Sequence, residues 1–206
     1  MPCDTSRRLL ASGRGTTEVM SASPTMLDLC CGLGGASSAM RARGWRVVTV
    51  DNHTDVRPSV CADVRALPLK PFALDLLWAS PPCESFSVQR LPFGNCAAAK
   101  ARGVDLSVPR AVRGIIDTWA PRVWMVENVW AAEPWFTPLF GLPILRLPGH
   151  FVWSNIALLV SKLKHRKRDY WDKMPSGRRR YLQLSLVPAA LSMSAALAVE
   201  RFIEIE

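Results

Sequence analysis

The chain has 206 residues, of which 49% are apolar and 21% charged, and a formal net charge of +9. That length suits one domain with a real core, and the composition excludes collagen-like, mucin-like and wholly disordered chains. No apolar run reaches the roughly 18 residues that cross a bilayer, so the expectation is a soluble protein with an anionic partner. The richest stretch, Val187 to Val199, is broken by Pro188, Ser192 and Ser194.

Residues 1–24 are rich in Ser, Thr, Gly and Arg without a sustained period and read as a disordered N-terminal segment. From residue 25 an α/β pattern begins. Met26 to Cys30 is a short apolar strand, Gly32-Leu33-Gly34-Gly35 a tight turn, and Ala36 to Arg43 a helix stopped by Gly44. Arg46 to Val50 is a β-branched strand ending at Asp51. Leu74 to Ala79 is a buried strand followed by Ser80-Pro81-Pro82-Cys83, and Val123 to Val126 is another, ending at Glu127-Asn128. Strands alternating with helices predict an α/β fold, a mostly parallel sheet with helices on both faces. In such sheets ligands bind beyond the carboxyl ends of the strands. Asp28 lies inside the first strand; the Gly turn, Asp51, Cys83 and Glu127 fall at strand ends and converge on one rim.

The Gly turn between strand and helix removes side chains where backbone must approach a ligand. Asp51 can accept both hydroxyl hydrogens of a ribose. Asp63 can accept from an adenine amino group, or can simply cap a turn. No Gly-Lys-Ser/Thr follows, which excludes a P-loop. The full GxGxxG turn of dinucleotide sites is also absent, so S-adenosylmethionine is favoured over a dinucleotide.

Six cysteines without a CxxC pair argue against a zinc ribbon, and the adjacent Cys30 and Cys31 argue against a secreted disulfide framework. A reducing interior follows, and Cys30, Cys31 and Cys61 read as buried structural cysteines. Cys83 differs. Two prolines stiffen the turn before it and hold it off the sheet end, where a thiolate can act as a nucleophile. Glu127 follows four apolar residues, a partly desolvated setting suited to an acid; the alternative is an ordinary salt-bridged glutamate. Between Lys162 and Arg180 nine basic residues face two acidic ones, a net +7. With Tyr170 and Trp171 interleaved, this stretch is either a solvated loop or a phosphate-binding surface.

Taken in order, these residues resemble the DNA (cytosine-5)-methyltransferases over roughly residues 25 to 203. Asp28-Leu29-Cys30-Cys31-Gly32-Leu33-Gly34-Gly35 matches the cofactor loop, Pro82-Cys83-Glu84-Ser85-Phe86-Ser87 the catalytic loop and Glu127-Asn128-Val129 the acid motif. Leu184-Ser185-Leu186-Val187-Pro188 looks like a degraded copy of the last cofactor motif. The resemblance implies a Rossmann-like class I fold with S-adenosylmethionine as cofactor and no metal. The cofactor would meet Asp28, Cys31, Gly32, Leu33, Gly34, Asp51, Asn52, Asp63, Val64 and Pro81. Cys83 would add to C6 of a cytosine turned out of double-stranded DNA, and Glu127 would hydrogen-bond the ring at N3 and the exocyclic amine.

The resemblance further implies a mobile loop from Glu84 to Arg110 that closes over DNA, with Ser87, Arg90, Lys100, Arg102 and Arg110 near it. Three departures stand out. Glu84 replaces the usual Gln after the catalytic cysteine. The Gln-x-Arg-x-Arg motif is absent, its place taken by Gly149-His150-Phe151-Val152-Trp153-Ser154, where His150 is either a substitute or a structural histidine. The separate target-recognition domain is reduced to an insertion of about 155–183. That insertion carries Lys164, Arg166, Lys167, Arg168, Arg178, Arg179 and Arg180, which would grip DNA and leave a short or relaxed target site.

The implied setting is cytoplasmic, prokaryotic or phage-encoded, with any restriction nuclease a separate chain. Open alternatives are the same chemistry on RNA, a non-catalytic nucleic-acid-binding relic, and an NAD-linked oxidoreductase, which leaves Cys83 unexplained.

Overall fold

The apolar runs at Met26-Leu27, Leu76 to Ala79 and Val123 are wholly buried, as strands covered on both faces must be. In the computed structural model, which describes residues 23–86, 104–159 and 187–205, they belong to a seven-stranded sheet. Its strands are β1 (Thr25–Leu29), β2 (Arg46–Asp51), β3 (Val60–Cys61), β4 (Leu76–Ala79), β5 (Val123–Asn128), β6 (Leu145–Leu147) and β7 (His150–Ser154). The order is β3-β2-β1-β4-β5-β7-β6. Pairing is parallel from β3 to β5, while β7 runs antiparallel to both β5 and β6. This is a Rossmann-like, mostly parallel sheet that ends in an antiparallel hairpin.

Alternation along each strand divides the core in two. Met26, Leu76, Trp78, Val123 and Met125 pack with Met40 and Trp45 and with Leu191, Ala195 and Val199. That layer holds α1 (Ser38–Ala42) and α4 (Ala189–Ile205). Ser192 of α4 ties the two together, donating to the Ala36 carbonyl at 2.5 Å and accepting from the Ala39 N–H at 3.1 Å. On the other face Leu27, Leu29, Val50, Leu77 and Val126 meet Val112 and Ile116 of α2 (Ser107–Trp119) and Phe136 and Phe140 of α3 (Glu133–Phe140).

Register sets the rim. Leu29 is level with Val50 and with Ala79, and Ala79 with Val126. The next residue on each strand is therefore at one height: Cys30, Asp51, Ser80 and Glu127. Because β7 returns antiparallel, its first residue, His150, also reaches this rim.

Several sequence expectations shift. The first helix starts at Ser38 rather than Ala36, because the Gly turn uses the residues through Ser37. β5 continues through Glu127 and Asn128, which pair with Val152 and Phe151 of β7. The expected loop from Glu84 to Arg110 ends sooner: Asp105 caps Ser107 N–H at 2.8 Å, and Arg110 lies exposed in the first turns of α2. Of the three cysteines expected to be buried, Cys61 is exposed on the edge strand β3, and Cys30 and Cys31 are half-buried at the turn after β1. Among the described residues no helix is long and apolar enough to cross a membrane.

Candidate active site

The turn after β1 bends through three left-handed residues: Cys30 at φ +55°, Gly32 at φ +49° and Gly34 at φ +74°. A Cβ on Gly32 would meet nothing within 4 Å, so glycine there serves the backbone angle and leaves the turn's outer face open. Asp51 holds the turn in place. One carboxylate oxygen accepts Gly32 N–H at 3.0 Å and the other His53 N–H at 2.9 Å. Each oxygen keeps a further lone pair. Asn52 beside it and Leu33 on the turn are exposed.

Asp28 lies beneath this turn with no exposure, and neither of its carboxyl oxygens has a hydrogen-bond partner at normal geometry among the described residues. Burial pushes its pKa up to about 7, partly offset by the nearby Ser37 and Arg41. The same burial, with Asp28 and Asp51 adjacent, pushes the Cys31 thiol up to about 12 and raises the Cys30 thiol as well. Both therefore stay neutral thiols. Cys31 points its weak donor at the Gly32 carbonyl, 3.6 Å away.

Asp63 is engaged locally. It accepts Arg65 N–H at 2.8 Å and pairs with the Arg65 guanidinium at 2.5 Å, and these bonds hold its carboxyl down at about 2. Its neighbour Val64 is buried in the core. An open-sided cavity of about 360 Å³ adjoins the Gly turn, lined by Gly32, Gly34, Arg41, Thr49 and Arg57 among others; Cys83 and Glu127 do not line it.

Ser80 continues the parallel ladder past β4, its N–H donating to the Leu29 carbonyl at 3.1 Å. Pro81 is then buried, Pro82 exposed and Cys83 half-buried. Phe86 N–H closes a turn onto the Cys83 carbonyl at 3.0 Å, and the Phe86 ring meets Phe136 edge-on with centroids 5.3 Å apart. The loop carrying Cys83 is thus anchored on both sides. Asn128 supplies a third attachment, its Nδ2 donating to the Pro81 carbonyl at 2.8 Å while its Oδ1 accepts Val129 N–H at 2.9 Å.

Glu127, one residue earlier on β5, is 6% exposed. Its Oε1 lies 2.7 Å from His150 Nδ1. Strand spacing explains the contact: Glu127 is opposite Val152, and His150, two residues before Val152, shares its face.

No family model matches this sequence, and no curated protein matches it. Solved structures overlap it in part. The PH0226 protein from Pyrococcus horikoshii OT3 is 20% identical, with a TM-score of 0.34 over 53% of this chain and 50% of that one. An S-adenosylmethionine-dependent methyltransferase from Clostridium acetobutylicum ATCC 824 is 15% identical, with a TM-score of 0.32 over 53% of this chain and 45% of that one. The Entamoeba histolytica methyltransferase EhMeth is 10% identical, with a TM-score of 0.47 over 73% of this chain and 60% of that one. The matched region thus covers 45% to 60% of these proteins' lengths.

The rim therefore gathers the Gly turn, Asp51, Pro81, Cys83 and Glu127. Asp63 and Val64 sit beyond β3, and Arg110 lies on α2. Ser87, Arg90, Lys100 and Arg102, the basic residues Lys164, Arg166, Lys167, Arg168, Arg178, Arg179 and Arg180, and Leu184 to Leu186 lie outside the described residues, as does 1–22. Two contacts at the rim were not legible in the sequence. The link from Asn128 to Pro81 joins residues 47 positions apart, and the partner of Glu127 comes from an antiparallel strand without a local sequence signal.

Proposed function

We propose that this chain is a DNA (cytosine-5)-methyltransferase that uses S-adenosylmethionine and a covalent adduct at Cys83. One observation carries the reading. Asn128 Nδ2 bonds the Pro81 carbonyl at 2.8 Å, lashing the loop that bears a half-buried cysteine to the strand end that bears a buried carboxyl. A nucleophile and an acid on adjacent, aligned strand ends is what addition to a pyrimidine ring requires.

The residues present also suit the cofactor. The outer face of the Gly turn is open, Asp51 has lone pairs left for ribose hydroxyls, and the Asp28 carboxyl beneath the turn, without a partner at normal geometry among the described residues, suits a ligand that carries an ammonium group. Asp28, Gly32, Gly34 and Asp51 would hold it. When bound there, S-adenosylmethionine supplies an activated methyl group.

The protein's own part is then as follows. Cys83 thiolate adds to C6 of the extruded cytosine, and a carbon–sulfur bond forms as electron density moves through the ring to N3. Glu127 gives N3 a proton and accepts from the exocyclic amine, so the ring is neutral and C5 is nucleophilic. After methylation the C5 proton leaves to solvent, the carbon–sulfur bond breaks with return of the thiolate, and N3 returns its proton to Glu127. Duplex DNA is the partner in this reading, and the net +7 of Lys162 to Arg180 suits phosphate contacts.

The test is covalent trapping on duplex DNA containing 5-fluorocytosine, because fluorine at C5 blocks the elimination. A gel-stable adduct that needs both S-adenosylmethionine and Cys83, and is lost in Cys83→Ser, is expected. No adduct on DNA, from folded protein that binds the cofactor, overturns the reading; an adduct on RNA alone transfers it to that polymer.

A further inference from the structure

A carboxyl that must hand a proton to a ring nitrogen from a defined direction needs its two oxygens made inequivalent. At Glu127 the structure does this with a side chain from another strand. The β6–β7 hairpin turns through Pro148 and Gly149, the latter at φ +85°. This delivers His150 as the first residue of β7, on the same face as Glu127. The imidazole Nδ1 lies 2.7 Å from Glu127 Oε1, with side-chain exposures of 17% for the histidine and 8% for the glutamate. Oε2 has no such partner among the described residues.

We propose that His150 is the positioning residue of the acid: it donates Nδ1–H to Glu127 Oε1, so that the transferable proton resides on Oε2, the oxygen offered to the target base. The inference rests on the cytosine reading above. Its chemistry balances simply. Oε2 gives its proton to N3 as Cys83 adds to C6, and Nδ1–H steadies the carboxylate that results. N3 returns the proton to Oε2 when Cys83 leaves. His150 keeps its own Nδ1 proton throughout and touches no reacting atom. The fixed partner also restrains the carboxyl torsion, which a solvent-facing glutamate would leave free.

The experiment combines kinetics with a direct view of the ring. His150→Leu removes the donor, and His150→Asn restores an N–H at the position of Nδ1. In the Leu variant kcat is expected to fall about 100-fold, the scale of a positioned acid, with KM for DNA and cofactor affinity unchanged; the Asn variant should recover most of that loss. Long-range ¹⁵N correlation spectra of the intact protein, assigned through His150→Asn, should show His150 protonated at Nδ1 and shifted by Glu127→Gln. A Leu variant with full kcat overturns the proposal, as does a neutral ring protonated only at Nε2. If the wild type forms no adduct although the Nδ1–H signal is present and responds to Glu127→Gln, the cytosine reading fails and takes the catalytic role of His150 with it. A missing signal in an active wild type sinks the His150 role alone.

Discussion

Asp28→Asn isolates the most unusual group among the described residues. The wild-type carboxyl is fully buried, has no hydrogen-bond partner at normal geometry among the described residues, and is pushed by that burial up to about 7 from its ordinary 3.8. A folded-state pKa above the unfolded one means that folding favours the protonated form. Stability from this group is therefore fully present below about pH 4, declines as pH rises, and is lost above about pH 7. A shift of about three units at about 1.4 kcal/mol per unit gives a span of about 4 kcal/mol, of which about 3 kcal/mol falls between pH 5 and pH 8. Asparagine has no charge to lose, so it removes the slope, although its own unpaired amide carries a pH-independent penalty of about 1–3 kcal/mol. Urea unfolding of both proteins at pH 5, 6, 7 and 8 gives the difference directly. The variant should gain on the wild type by about 3 kcal/mol across that range, whatever the offset at pH 5. Parallel stability curves would refute the assignment of a strained, neutral-prone carboxyl at this position.

Three further outcomes follow from the packing. Phe136→Ala strips the rings of Phe86, Trp153 and Phe140, at centroid distances of 5.3, 5.0 and 5.5 Å; a loss of about 3–5 kcal/mol in denaturant unfolding is expected, and a loss below about 1 kcal/mol would contradict the anchoring of the Cys83 loop. Asn128→Ala leaves the Pro81 carbonyl and Val129 N–H unpaired, which costs about 1–3 kcal/mol and lowers the yield of trapped adduct more than it lowers cofactor affinity; equal effects on both would break the link between strand and loop. Gly32→Ala strains a backbone at φ +49° but meets no atom within 4 Å, so unfolding should report only about 1–2 kcal/mol, while calorimetric titration should report a much larger loss of S-adenosylmethionine affinity if the open face is the ligand's.

What was legible in the sequence was the local grammar. Buried strands with continuous apolar runs, the Gly turn and the Pro-Pro-Cys exit could be placed because each is encoded within a few neighbouring residues. Parallel order then followed from strand–helix alternation, and with it the convergence of Asp51, Cys83 and Glu127. The short strands escaped for the same reason in reverse. β3 has two residues and β6 three, too few to show a period, and their pairing depends on partners far along the chain. For Asp63 the local reading held both alternatives, and the contact that engages its side chain is the one with Arg65, two residues away.

The rules of local structure fail together in one place. Cys30 adopts a left-handed angle without being glycine, Asp28 buries a carboxyl without a partner at normal geometry among the described residues, and Asp51 is spent on holding the turn that follows them. Each departure costs stability: about 1–2 kcal/mol for the backbone and several for the buried acid near neutral pH. No packing gain among the described residues requires them, since the cores on either face of β1 are filled by Met26, Leu27 and Leu29. An apolar residue at position 28 and a glycine at 30 would give the same strand and turn with less strain. Local costs of this kind persist where a ligand relieves them. The sheet end beside the Gly turn is therefore where binding should raise stability most, and a cofactor that stabilised the Asp28→Asn variant as much as the wild type at pH 8 would place the reason for the strain elsewhere.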